Sequence, residues 1–390
     1  MRIALVAGEA SGDTLGAALI EALRRRFPNA QFAGVAGPRM QAAGCSAWFD
    51  SGELGVMGLT EVLRHLPRLL RLRRTLQRRI LEWRPDVFVG VDFKEFNLGL
   101  ARRLKQQGLR TVQYVSPQVW AWRPGRARTI GESVDLLLCL FPFEPAFYRE
   151  YGVRAAFVGH PLADEIPLEV DRAAARAELG IPAGARVLAV LPGSRRGEVE
   201  HLAAAFAGAA ELLAGRYPGL VTVAPMVTPE LRALFAERCA TLAPRAAVRM
   251  LDGQARRALI AADVALVASG TATLEAALCK RPMVVAYRLG AITAFLLRQF
   301  GLVKVRYFSQ PNLLADARLV PEFFQEQASP GNLADALADW FEHPQRVAQV
   351  QEEFAKIHET LRRGGAAQAA AEIAELVTAW TAHVEMPGAS

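Results

Sequence analysis

Three short turns in this chain hold residue types suited to anions and sugars. In the first, Gly8, Glu9, Ser11 and Gly12 follow an apolar run over 3–7 and open a helix. The glycines permit a tight turn, and Ser11 or Asp13 is placed to cap a helix predicted from Thr14. The spacing is not that of a dinucleotide fingerprint, and Glu9 would repel a pyrophosphate laid directly on the turn, so a neutral polar ligand suits it better. In the second turn, Gly193, Ser194 and Arg195 stand between an apolar run over 187–191 and a helix over 198–210. Backbone N–H groups, a hydroxyl and a permanent cation at a positive helix end answer the needs of a phosphate. Ser269, Gly270 and Thr271 repeat that design after 264–267, and Glu275 lies one turn further on. Its carboxylate can accept both hydroxyls of a ribose or serve a capping box, and the residues alone leave both open.

Turns of this kind need strand ends to hold them. Apolar runs at 3–7, 86–91, 111–115, 136–140 and 156–158 alternate with helical patterns, which predicts a parallel sheet with crossover helices. After a proline-containing, charged stretch over 161–182, the pattern restarts with strands predicted at 187–191, 221–225, 248–251, 264–268 and 283–286. The expected architecture is α/β, with two Rossmann-like doubly wound domains facing a cleft and C-terminal helices packing back on the first domain or on a partner subunit. The boundaries expected are 1–165, 166–340 and a helical tail over 341–390. At 390 residues the chain exceeds the ~150–200 residues of one typical core.

Composition narrows the classes further. Cys45, Cys139, Cys239 and Cys279 are scattered, which predicts reduced thiols in a cytoplasmic protein and argues against structural zinc. No run reaches the ~18 apolar residues of a spanning helix, and no secretory signal is expected, because the run at 3–7 soon meets Glu9. Any membrane contact is therefore expected to be peripheral. The net charge of +7 brings no base-reading motif with it, so nucleic acid is not an expected partner.

Taken in order, VAGEASGD (6–13), GVAGPRM (34–40), Met57–Gly58, PDVFVGVD (85–92), YVSPQVWAWR (114–123), LFPFE (140–144), GHP (159–161), LPGSRRGEVE (191–200), ASGTATLE (268–275), PMVVAYR (282–288) and PNLLA (311–315) resemble the lipid-A-disaccharide synthase family along nearly the whole chain. The resemblance implies an inverting glycosyltransferase of the glycosyltransferase-B fold. Such an enzyme joins UDP-2,3-diacylglucosamine to 2,3-diacylglucosamine 1-phosphate, forms the β-1,6 disaccharide of lipid A and releases UDP. It also implies a cytoplasmic enzyme peripherally associated with the inner membrane, and leaves a homodimer open. The chain departs from the family pattern at Phe93-Lys94-Glu95, where an acidic D-x-P-D-F-N is usual, and at Gln310 before Pro311.

Under that resemblance Asp92 is the expected base, taking the proton of the acceptor 6-hydroxyl as it attacks the anomeric carbon. The other reading is an aspartate that only caps the next helix. Arg195, with Gly193, Ser194, Ser269, Gly270 and Thr271, is expected to stabilise the leaving diphosphate without a metal or other cofactor. The donor-binding set is completed by Gly8, Glu9, Ser11, Gly12, Gly253, Glu275 and Asn312; Gly253 is included because fold-mates read the base with backbone near 251–254, and Asn312, which resembles a family position tied to activity, either holds a sugar hydroxyl or is a plain turn asparagine. His160 either binds substrate or locks its loop, and Trp120 and Trp122 either face a sugar or acyl chain or pack in the core.

The stretch over 63–84 holds eight arginines, one histidine and one acid, Glu82. Pro67 fits a first helical turn, after which Leu69, Leu72, Leu76, Ile80 and Trp83 recur at helical spacing, with Arg71, Arg74 and Arg78 on another face. The expectation is an interfacial helix whose leucines meet lipid and whose arginines meet an anionic inner leaflet, where the acylated acceptor is collected. The competing reading is a crossover helix with its leucines in the core. Other readings of the whole chain are a peptidoglycan glycosyltransferase of the same fold, which VSPQVWAW and GEASGD argue against, and a UDP-sugar epimerase.

Overall fold

A computed structural model of the chain describes residues 1–54, 59–122, 124–290 and 306–384. Met57, Gly58 and Arg123 of the motifs above lie outside them. The chain divides into two compact units, Met1–Asp164 with Leu361–Ser390, and Glu165–Thr360.

The first unit is built on strands β1 (Arg2–Ala7), β2 (Gln31–Ala36), β3 (Cys45–Asp50), β4 (Val87–Val91), β5 (Arg110–Tyr114), β6 (Leu136–Cys139) and β7 (Ala155–Phe157). They form one parallel sheet in the order β3-β2-β1-β4-β5-β6-β7. Its strands are apolar on both faces because helices cover both. Ile3, Leu5 and Ala7 join Leu19, Leu23 and Ile373 on one side, whereas Ala4, Val6 and Phe88 join Leu76, Ile80 and Leu100 on the other. The last helix, Gly365–Val384, closes the first side against Ala10–Arg26, with Arg154 paired to Glu375 at 2.9 Å.

The second unit carries β8 (Val187–Leu191), β9 (Val221–Met226), β10 (Arg249–Asp252), β11 (Val264–Ala268), β12 (Met283–Tyr287) and β13 (Glu322–Phe324), parallel in the order β10-β9-β8-β11-β12-β13. Both units are doubly wound, as the strand–helix alternation predicts.

Three strands escape the sequence reading. β3 and β13 are sheet edges whose partly exposed residues make no apolar run. β2 is interrupted by Gly34 at φ +152°, where a Cβ would come within 1.9 Å of the Leu5 carbonyl oxygen. Two helix starts also differ. The first helix begins at Ala10, and neither Ser11 nor Asp13 caps it; buried Asp13 instead accepts the N–H groups of Arg39 (2.9 Å) and Met40 (3.0 Å) at the start of helix Pro38–Ala42. Pro67 lies inside helix Leu59–Trp83 and not in its first turn.

Candidate functional site

Each sheet has one place where successive connections run in opposite directions, and in open α/β sheets ligands gather beyond the carboxyl ends of strands there. In the first unit that place is between β1 and β4, in the second between β8 and β11. The turns singled out in the sequence stand at these two places.

In the first unit Ala7 is paired with Val91, so the Gly8–Gly12 turn and Asp92 leave the sheet side by side. The approach is close: a Cβ on Gly8 would lie 2.5 Å from the Phe93 ring, and one on Gly12 would lie 3.2 Å from the Val91 carbonyl oxygen. Ser11 Oγ donates to Asp92 Oδ2 at 3.3 Å, and Lys94 Nζ stands 4.0 Å from Asp92 Oδ1. The departure at Phe93-Lys94-Glu95 thus sets a cation beside Asp92, while Glu95 turns away to a bidentate pair with Arg126 at 2.9 and 3.1 Å. Helix Lys94–Lys105 has Phe93 at its N-cap and no side-chain cap, so Asp92 is not spent on capping.

The backbone at Asp92 is unusual. Asp92 and Phe93 have φ of +50° and +38°, and neighbouring Val115 has +77°. Left-handed backbone costs a residue with a Cβ roughly 1–2 kcal/mol, so the surroundings must hold it. Asn97 Nδ2 and Gln113 Nε2 both donate to the Asp92 carbonyl oxygen, at 3.0 and 2.9 Å. Asn97 stood in the sequence as the last residue of the stretch that matches D-x-P-D-F-N, with no role assigned; Gln113 did not stand out, its signal being a polar side chain within an apolar run.

The segment after β5 is held from below. Ser116 Oγ (2.6 Å), Trp120 Nε1 (3.2 Å) and the Phe141 N–H (3.0 Å) all donate to Glu144, whose carboxyl is 1% exposed and pushed by burial above the usual carboxylate range. Tyr148 Oη donates to the Pro117 carbonyl oxygen. Trp120 therefore packs in the protein, edge-on to Phe143, with its N–H bound internally. His160 locks its loop: its N–H donates to the Leu361 carbonyl, and its Nδ1 accepts the Leu162 N–H at 3.2 Å. Burial lowers the His160 pKa from 6.5 to about 4.

In the second unit Val267 pairs with Leu191, which sets the Gly193–Arg195 and Ser269–Thr271 turns beside each other. Gly193 at φ +131° and Gly270 at φ +147° use conformations that favour glycine. The Ser194 N–H, expected to face a phosphate, donates here to Glu198 Oε2 at 2.9 Å, and the Arg195 N–H donates to the same oxygen at 3.2 Å. The Arg195 guanidinium projects into solvent, 85% exposed and 3.6 Å from the Glu198 carboxylate. Ser269 Oγ is engaged with the Phe308 carbonyl at 2.9 Å, whereas Thr271 is exposed as the first residue of its helix. Glu275 is not part of a capping box, because Gly270 is the N-cap and has no side chain to give. Its carboxylate meets Arg256 Nε at 3.3 Å, and Arg256 also meets Glu165 at 3.1 Å. Gly253, at φ +66°, follows β10 and donates to the Met226 carbonyl at 2.7 Å.

Two sets of expected residues stand away from solvent. Asn312, assigned to donor binding, is fully buried: its Nδ2 donates to the Val320 carbonyl and to Glu322, and its Oδ1 accepts the Val320 N–H, each at 2.9 Å. In this arrangement the amide braces the turn before β13. The leucines assigned to lipid face the protein: Leu76 and Ile80 are fully buried, and Leu69 and Leu72 pack against the same cluster. Arg71, Arg74 and Arg78 are exposed, so the basic face of that helix meets solvent, as does Leu70 beside it. Among the described residues no helix is long and apolar enough to cross a membrane.

The family described as Lipid-A-disaccharide synthetase matches residues 3–377. A lipid-A-disaccharide synthase of Xanthomonas campestris pv. campestris (strain 8004) is 54% identical over 378 residues, 97% of this chain and 86% of the relative. One of Xylella fastidiosa (strain M12) is 52% identical over 377 residues, 96% of this chain and 98% of the relative. Among solved structures, UDP-GlcNAc 2-epimerase from Neisseria meningitidis bound to UDP-GlcNAc has a TM-score of 0.65 at 14% identity, covering 97% of this chain and all 100% of that one. The calicheamicin glycosyltransferase CalG4 has a TM-score of 0.57 at 18% identity, covering 98% and 99%. At these identities the solved structures speak for the fold alone.

Proposed function

The chain belongs to the lipid-A-disaccharide synthase family, and on that premise we propose that it condenses UDP-2,3-diacylglucosamine with 2,3-diacylglucosamine 1-phosphate, giving the β-1,6 disaccharide 1-phosphate and UDP. The observation that carries this reading is the meeting of sequence-distant motifs at the switch point of each sheet. Asp92 takes the proton of the acceptor 6-hydroxyl as that oxygen attacks the anomeric carbon. The bond from that carbon to the diphosphate oxygen breaks on the opposite face, and its electron pair leaves with UDP. Ser11, which donates to the Asp92 carboxylate, and Lys94, 4.0 Å from it, help to orient that carboxylate toward the hydroxyl.

The second unit receives the leaving group. Arg195, exposed and 3.6 Å from Glu198, is free to swing onto the diphosphate, where charge grows as the bond breaks. Thr271 and the N–H groups beside Gly270 serve the adjacent oxygens, and Glu275 takes the ribose hydroxyls while Arg256 orients it. The reading takes no metal, since a guanidinium supplies the charge. For the location, exposed Arg71, Arg74 and Arg78 suit an anionic lipid surface, and with Leu76 and Ile80 buried in the core the contact rests on these charges.

The test is incubation of the purified protein with both acylated substrates and mass spectrometry of the lipid product. The expected result is disaccharide 1-phosphate and UDP in equal amounts, undiminished by a chelator. Absence of disaccharide, or epimerisation of an unacylated UDP-sugar in its place, overturns the reading.

A further inference from the structure

Asn97 and Gln113 are both buried, and each brings its amide nitrogen to strand-end carbonyls around Asp92. Asn97 Nδ2 lies 3.2 Å from the Val6 carbonyl oxygen, 3.4 Å from that of Val91 and 3.0 Å from that of Asp92, tying the end of β1 to the end of β4. Gln113 Nε2 lies 2.9, 3.1 and 3.4 Å from the carbonyl oxygens of Asp92, Tyr114 and Val115, tying the end of β4 to that of β5. The Asp92 carbonyl is the one acceptor they share.

Both amides are used for their donors only. Among the described residues, Asn97 Oδ1 and Gln113 Oε1 are buried without a hydrogen-bond partner. A buried orphan acceptor is unfavourable, so the donor end must be what the site needs. Turning either amide over would set oxygen against oxygen. A carboxylate would do the same with a charge, and an aliphatic side chain would leave the Asp92 carbonyl without these donors. Gly90 makes the room: a Cβ there would lie 2.7 Å from Gln113 Oε1 and 2.8 Å from Asn97 Cβ.

We propose that Asn97 and Gln113 are positioning residues, which clamp the Asp92 carbonyl so that its left-handed backbone keeps the Asp92 carboxylate aimed at the acceptor hydroxyl. With the carbonyl released, the peptide relaxes toward ordinary φ and the carboxylate swings from its place. The proposal rests on the reading of Asp92 as the base.

The experiment compares Gln113→Met, which keeps length and removes the donors, with Asp92→Asn and with the double variant. Melting temperature, kcat and both KM values are measured with the acylated substrates. Gln113→Met is expected to lower kcat by ~10–100-fold, as a misplaced catalytic group does, with each KM within about twofold of the parent. In the double variant it is expected to add no loss beyond Asp92→Asn alone, because the residue it positions is already gone. Losses that multiply, or a rise in KM at constant kcat, overturn the positioning role while leaving the base in place. Near-parental turnover of Asp92→Asn instead removes the base assignment and the proposal with it. If Gln113→Met does not fold, Asn97→Ser takes its place in the same cycle. Failure of both to fold assigns the amides to stability and overturns the proposal.

Discussion

Glu198 Oε2 accepts the backbone N–H of Ser194 at 2.9 Å, so the turn suited to a phosphate already holds an anion of its own. The same oxygen accepts the Arg195 N–H, and the carboxylate lies 3.6 Å from the Arg195 guanidinium. A diphosphate that uses these donors has to displace it. Replacing Glu198 by Gln weakens the internal competitor, because a hydrogen bond to a charged group exceeds a neutral one by about 1 kcal/mol. UDP is expected to bind Glu198→Gln ~3–10-fold more tightly in calorimetry, while the melting temperature falls slightly as the helix start loses its carboxylate. Weaker UDP binding in this variant would place Glu198 on the ligand's side.

Arg195 and Glu275 separate chemistry from recognition. Arg195 is largely in solvent, so Arg195→Ala is expected to fold as the parent does. It should nonetheless weaken UDP binding by ~1.5–3 kcal/mol and slow transfer, since a charge-assisted contact to phosphate strengthens as the leaving group forms. Glu275→Gln is expected to raise the donor KM with little change in kcat, because a ribose contact is the same before and during bond breaking. Equal UDP affinity in both variants and the parent would remove the diphosphate and ribose from these turns.

The strands at the two switch points were legible because β1, β4, β8 and β11 are buried on both faces and so read as unbroken apolar runs. The glycine and hydroxyl turns after them were legible for the same reason. Roles set by distant partners were not. Asn312 reads as a turn residue open to ligand until Glu322, ten positions on, is seen to take its amide. Asp13 reads as a cap for its own helix, yet it caps a helix starting some 25 residues later, at Pro38. Glu198 reads as an ordinary first-turn acid, and only the fold of the preceding turn reveals that it fills the anion position. Leu72 and Leu76 show the limit of periodicity, which gives an apolar face but not what covers it.

His160 links the GHP turn to pH. Its pKa is lowered by burial from 6.5 to about 4, so the unfolded chain binds the proton more readily than the folded one. Its contribution to stability is whole above pH ~6.5 and is lost as pH falls through the folded value. Denaturant melts of the parent are expected to lose stability from pH 6.5 to 4, and His160→Asn, less stable at pH 7, should show a flatter slope across that window. An unchanged slope would mean that His160 is not buried as a neutral ring in solution.

The basic helix can be divided into a part that folds the protein and a part that meets a surface. Leu76 is fully buried and Leu72 packs on the same cluster, so Leu76→Ser opens a core position and is expected to cost ~2–5 kcal/mol, seen as a large fall in melting temperature. Arg71, Arg74 and Arg78 are exposed, and Arg78 stands 3.9 Å from exposed Glu82. Replacing all three by Ser should leave the melting temperature nearly unchanged. Near an anionic membrane each arginine is worth on the order of 1 kcal/mol, so the triple variant should bind anionic vesicles ~100-fold less tightly. The parent's own binding should fall steeply with salt, as screening demands. Binding that survives both the triple substitution and high salt would mean that another surface, or an apolar insertion, carries the membrane contact.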